Sequence, residues 1–130
     1  MHPTVEAFIA AINRRDVDGL CRLMTADQLF VDSLGQEVRG REAMCAGWRA
    51  YFSIVPDYHI VATDCLQAGP VVAIFGPAGG TYSPDGRILP HNRWETPAAW
   101  KAVVRDDLVA EWRVFADNEP IRRLMNEALS

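Results

Sequence analysis

From Pro70 to Tyr82 the chain reads Pro70-Val71-Val72-Ala73-Ile74-Phe75-Gly76-Pro77-Ala78-Gly79-Gly80-Thr81-Tyr82. The first half is a run of β-favouring residues, and the second half continues it with glycine in three places. Glycine inside a strand weakens pairing and often marks a bulge or a sharp bend. Gly76, Gly79 and Gly80 therefore predict a long strand that bends. Tyr58 to Gln67, Asn92 to Val104 and Leu108 to Ala116 have the same strand character, separated by Ala68-Gly69, Ser83-Pro84-Asp85-Gly86 and Arg105-Asp106-Asp107. Such turn clusters join antiparallel neighbours, so the second half of the chain predicts an antiparallel meander long enough to curl.

The first half has a different period. Val5, Phe8, Ile9 and Ile12 follow the 3, 4 and 7 spacing of one helix face, with Thr4 placed as its cap. Val17, Leu20, Leu23 and Met24 form a second, shorter stripe behind Asp16. Gln28 to Ser33 predicts a short strand that turns at Leu34-Gly35-Gln36 and runs through Glu37-Val38-Arg39 to Gly40. Met44, Trp48, Tyr51, Phe52 and Val55 mark a third helix, stopped by Pro56. Asn118 is placed to cap a closing helix with Ile121, Leu124 and Met125 on its apolar face. The fold class expected is α+β, with helices packed on a strongly curved antiparallel sheet and enclosing an apolar pocket.

Composition agrees with one domain over residues 1–130. Apolar residues are 49% and charged ones 23%, ordinary globular usage, and a chain this long buries roughly two-thirds of its unfolded surface. A net charge of −4 without a basic stripe disfavours binding to a phosphate backbone, so no nucleic-acid partner is expected. No apolar run approaches the roughly 18 residues of a membrane span, and Met1-His2-Pro3-Thr4 lacks the features of a signal peptide. A cytoplasmic protein with no membrane partner is expected. Cys21, Cys45 and Cys65 read as buried thiols, not as a disulfide framework or a zinc site. His2, His59 and His91 show no ligand spacing with an acid, so neither metal nor cofactor is expected.

Phe8-Ile9-Ala10-Ala11-Ile12-Asn13 followed by Asp16-Val17-Asp18-Gly19-Leu20, the turn Val31-Asp32-Ser33-Leu34-Gly35 with Arg39-Gly40, and the closing Glu111-Trp112-Arg113-Val114-Phe115-Ala116-Asp117 carry a likeness. In this order they resemble the nuclear transport factor 2-like superfamily, which includes ketosteroid isomerases and SnoaL-like polyketide cyclases. The resemblance spans Val5 to about Met125. It implies a cone-shaped, cystatin-like half-barrel with a deep apolar cavity, and a homodimer joined through the outer face of the sheet. Function does not follow from it, since one fold hosts many chemistries.

Asp32 resembles the general base of ketosteroid isomerases. A carboxylate at the rim of an apolar cavity can move a proton between carbons beside a carbonyl, but an aspartate at a strand end can equally accept turn amides or pair with Arg39. The remaining isomerase machinery is missing. The oxyanion-binding tyrosine of that family falls on Phe8, and its second donor falls on Ala98 or Ala99. Losing such donors costs about 3 to 4 kcal/mol each in transition-state stabilisation. The cyclases' acid-base pair falls near Ala98 and Val114, and Asp117 reads as ordering the last helix. His91, on a loop returning to the sheet, is a second catalytic candidate as a proton shuttle.

Alternation places Trp94, Thr96, Ala98 and Trp100 on one inward face. With Phe8, Trp48, Tyr51, Tyr82 and Trp112 they form the expected lining for a flat apolar molecule. Two functions stay open. One is a pocket protein that binds a small apolar metabolite, and the other is an enzyme using Asp32 as base for isomerisation, dehydration or cyclisation of an apolar carbonyl compound.

Overall fold

A computed structural model describes residues 1–129. Helix α1 (Pro3–Asn13) buries Val5, Phe8, Ile9 and Ile12, the stripe its spacing predicts. His2, not Thr4, caps it: the imidazole Nδ1 accepts from the Thr4 amide at 3.1 Å, while the Thr4 hydroxyl donates to the Asp107 carbonyl at 3.0 Å. Asp16 caps α2 (Val17–Arg22) by accepting from the Gly19 amide at 3.0 Å. That helix ends earlier than its apolar stripe suggests, because Met24 already belongs to β1 (Met24–Val31). The Val109 amide donates to the Leu23 carbonyl at 2.7 Å, so sheet pairing claims the backbone that would have continued the helix.

Strand β2 (Glu37–Arg39) leads into α3 (Arg41–Ile54), whose inward residues are Met44, Trp48 and Phe52. Then follow β3 (His59–Ile60), β4 (Asp64–Ala68), β5 (Val71–Thr81), a 3-10 turn (Pro90–Asn92), β6 (Arg93–Arg105), β7 (Leu108–Ala116) and α4 (Glu119–Leu129). The sheet order is β2-β1-β7-β6-β5, with β3 and β4 both on the far edge of β5. The result is the expected α+β architecture with a curved, unclosed sheet. One pairing departs from a pure meander. β1 runs parallel to β7, a direction that no hairpin turn dictates because helices and strands intervene.

The stretch from Tyr58 to Gln67 is two short strands rather than one. Ile60 pairs with Ala78 and Asp64 with Phe75, so residues 61–63 stand opposite Gly76 and Pro77 alone. This is a bulge. It is held by Val61 N–H donating to the Pro77 carbonyl at 2.9 Å and Thr63 N–H donating to the Phe75 carbonyl at 2.8 Å. A Cβ on Gly76 would lie 1.6 Å from the Val61 carbonyl oxygen, which is why glycine stands there.

Two polar clamps seat the helices on the sheet. Asn13, at the end of α1, accepts from the Ile60 amide at 2.8 Å and donates to its carbonyl at 3.0 Å, imitating a strand partner. The Asp57 carboxylate accepts from both the amide and the hydroxyl of Thr81, each at 2.7 Å, tying the segment after α3 to the end of β5. A third tie corrects the sequence reading. Cys21 and Cys45 are joined in a disulfide between α2 and α3, with Cα atoms 5.8 Å apart, and Cys65 alone is a free thiol. The two stripes turn these cysteines toward one another, a convergence between helices that spacing along the chain does not display.

No described helix is long and apolar enough to cross a membrane. On the outer face Phe75 and Phe115 flank Ala99 in one cross-strand row and are 42% and 50% exposed. The inner face holds the core and the cavity.

Candidate functional site

A cavity of about 320 Å³ lies between α3 and the concave face of the sheet. Helix α3 supplies Met44, Trp48 and Tyr51, residues spaced to share one face. The inward positions of β6 supply Trp94, Thr96, Ala98 and Trp100 by simple alternation. Cross-strand register explains why space remains. Gly76, Ala98 and Ala116 form one row across β5, β6 and β7, and Ala78 pairs with Thr96 in the next inward row. Small side chains there leave open what Ile74, Trp100 and Val114 fill one row further along.

The two ends of the cavity differ in chemistry. At one end lie Asp32, Ser33 and Asn118. Asp32 Oδ1 accepts from the amides of Leu34 and Gln36, both at 2.9 Å, and this fixes the carboxylate. Arg39 pairs with Glu37 at 3.0 Å and not with Asp32. Asn118 donates to the Ser33 hydroxyl at 2.6 Å. Its expected capping role passes to Asp117, which accepts from the Glu119 amide at 3.0 Å and leaves Asn118 free to line the cavity.

At the other end Tyr51 and Tyr58 meet edge to face with ring centroids 5.1 Å apart, and Trp94 stands 6.2 Å from Tyr58. Burial pushes both phenols well above their ordinary range, helped at Tyr51 by the neighbouring Tyr58, so both stay neutral donors. The indole N–H groups of Trp48 and Trp94 are buried with no partner among the described residues.

The structure thus brings Asp32, Trp48, Tyr51, Trp94, Ala98, Trp100 and Trp112 to one cavity. Three expected site residues stand elsewhere. Phe8 is fully buried behind the wall, 4.8 Å from the Trp112 ring and 6.4 Å from that of Trp48, so it supports the lining without reaching it. Tyr82 follows the end of β5, where its backbone pairs with Asn92, and is outside the lining. His91 is exposed in the 3-10 turn and does not overhang the cavity. The inward face of β6 begins only at Trp94, and the turn before it carries His91 to the surface.

Sequence reasoning missed Tyr58, Phe30, Ser33 and Asn118 as lining residues. For Tyr58 a signal existed: in the strand expected to begin there it alternates in phase with Ile60, which is 2% exposed. Ser33 and Asn118 gave none, because their contact joins positions 85 residues apart. Among the described residues no three His, Cys, Asp or Glu side chains are grouped to hold a metal ion.

Comparison with known proteins follows the fold. A search of curated proteins finds no match. An uncharacterised cystatin-fold protein from Novosphingobium aromaticivorans is 27% identical, with a TM-score of 0.70 over 85% of this chain and 93% of that one. A hypothetical protein with a ketosteroid isomerase-like fold from Catenulispora acidiphila, crystallised with trimethylamine, is 23% identical, with a TM-score of 0.74 over 86% and 83%. An epoxide hydrolase of the LEH-like type from M. tuberculosis is 17% identical, with a TM-score of 0.78 over 98% and 90%. The SnoaL-like domain profile matches residues 5–112, from α1 into β7. The aromatic cavity is therefore set in a known kind of scaffold, and the chain belongs to the SnoaL-like domain family.

Proposed function

We propose that this protein binds a flat, apolar small molecule in the cavity under α3. The observation that carries this reading is a space of about 320 Å³ walled by tryptophan and tyrosine, with polar groups confined to a few positions. Ligand sites have this size and make-up. The named activities of relatives on small molecules support it at the level of class. Screening fused-ring aromatic compounds by thermal shift tests it. A ligand at 100 times its Kd adds about 2.7 kcal/mol, on the order of 10 °C in a chain this size. Ala98→Trp, which fills the small-residue row, abolishes the shift. No shift from any compound overturns the reading.

One observation favours catalysis as a second reading. Asp32 lines the cavity, is anchored through one carboxylate oxygen, and keeps its other oxygen free of any partner among the described residues. In the same screen Asp32→Asn is expected to preserve binding of a fused-ring diketone while abolishing exchange, with solvent deuterium, of the α-protons beside the carbonyl at the Asp32 end. Exchange unaffected by the substitution dismisses Asp32 as a base.

The outer-face row of Phe75 and Phe115, with Leu66 nearby at 68% exposure, supports the pairing of two copies through the sheet. Sedimentation at micromolar concentration is expected to read twice the 14.5 kDa chain mass. A single species at the chain mass removes the proposal.

A further inference from the structure

We infer that the Tyr51–Tyr58 pair is a recognition site for a hydrogen-bond-accepting oxygen, and that the ligand is an uncharged planar ring compound with a carbonyl at its inner edge. This rests on the pocket reading above and adds the chemistry that selects within it.

Four observations converge. Both phenols line the cavity, and neither hydroxyl has a partner among the described residues. Their rings hold each other edge to face, 5.1 Å apart, which fixes the two oxygens relative to one another. Tyr58 is 8% exposed and Trp94, beside it, 6%, and the Trp94 indole N–H also lacks a partner. A buried donor without a partner is costly, and an indole N–H can only donate. This end of the cavity therefore offers donors.

The rest of the lining sets the charge. It contains no lysine, arginine or histidine, and its one carboxylate is that of Asp32. A carboxylate or phosphate ligand would enter an apolar site with no cation to meet it and one anion to repel it. Neutral phenols satisfy a carbonyl oxygen without that conflict, since burial keeps both protonated.

Position separates this pair from Asp32. Trp94 and Ala98 are four residues apart on β6, a strand length of about 13 Å. The phenols cluster at Trp94, while Asp32 belongs to the end where Ala98 pairs with Ala116 and Asn118 meets Ser33. A molecule of two or three fused rings spans the two ends. The pair orients such a ligand and does not assist proton transfer at Asp32.

Isothermal calorimetry with three probes of one shape tests this: 2-acetylnaphthalene, 2-ethylnaphthalene and 2-naphthoate. The ketone is expected to bind about tenfold tighter than the hydrocarbon, the worth of one or two net hydrogen bonds, and the carboxylate weaker than the ketone. In Tyr51→Phe/Tyr58→Phe the preference for the ketone falls to within about twofold while the hydrocarbon binds as before. Phenylalanine keeps the ring packing, and an unchanged melting temperature verifies the fold. Equal affinity of ketone and hydrocarbon in the natural protein overturns this inference and leaves the pocket reading intact. So does a preference that survives in the double variant. Binding of none of the three overturns both.

Discussion

Trp112→Ala is expected to remove about 3–5 kcal/mol of stability, the range for deleting a buried tryptophan. Trp112 is 1% exposed, packs 4.8 Å from the Phe8 ring and stacks on Trp100 at 6.4 Å. Its site cannot close by collapse. On one side stand α1 and its fully buried Phe8, and on the other a cavity of about 320 Å³ that the new void would join. Against a typical total of about 5–15 kcal/mol the loss is about a fifth or more. Equilibrium urea unfolding reads it directly, as a lower midpoint with little change in slope. A loss below about 1 kcal/mol would mean that the wall repacks and that the cavity is not held open by rigid neighbours.

The second large effect needs only one methyl group. In Gly76→Ala the added carbon meets the Val61 carbonyl oxygen at 1.6 Å and its carbon at 2.8 Å. Both are backbone atoms, so no rotamer change relieves the contact. The bulge that splits β3 from β4 must open, and the pairing of both strands with β5 goes with it. We expect about 4 kcal/mol or more, a loss seen only when a named structural device is broken, or a protein that fails to accumulate in soluble form. Gly35→Ala is the matched control. Gly35 has φ 82°, but a Cβ there meets nothing within 4 Å, so only conformational strain of about 1–3 kcal/mol is lost. The two variants should separate clearly in thermal melts. Equal effects would refute the steric argument at residue 76.

The residues that carried the fold in the sequence are those whose neighbours are local. Val5, Phe8, Ile9 and Ile12 declare α1 because they lie on one helix face, and Trp94 through Trp100 declare their inward face because strands alternate. Register is less local. That Gly76, Ala98 and Ala116 form one open row depends on three strands pairing in phase, and no pattern within any one of them states it. The same limit governed the site. Tyr51 and Trp48 were readable from α3, whereas the Asn118–Ser33 contact and the Cys21–Cys45 bond needed the chain folded back on itself. His91 misled for a related reason. A titratable residue near a strand start looks poised over a pocket until the 3-10 turn settles which way it leaves the sheet.

The parallel pairing of β1 with β7 has a consequence for how the molecule comes into being. Strand β1 ends at Val31 and its neighbour begins at Leu108, so a chain emerging from the ribosome makes β1 long before its partner exists. Until then β1 has β2 on one edge and nothing on the other, an edge open to pairing with other chains. Contacts of such long sequence separation form slowly and late. Order of synthesis and order of assembly cannot coincide in this protein. Met24, fully buried against Val109 in the finished sheet, is among the first core residues made and must wait for the last strand to cover it.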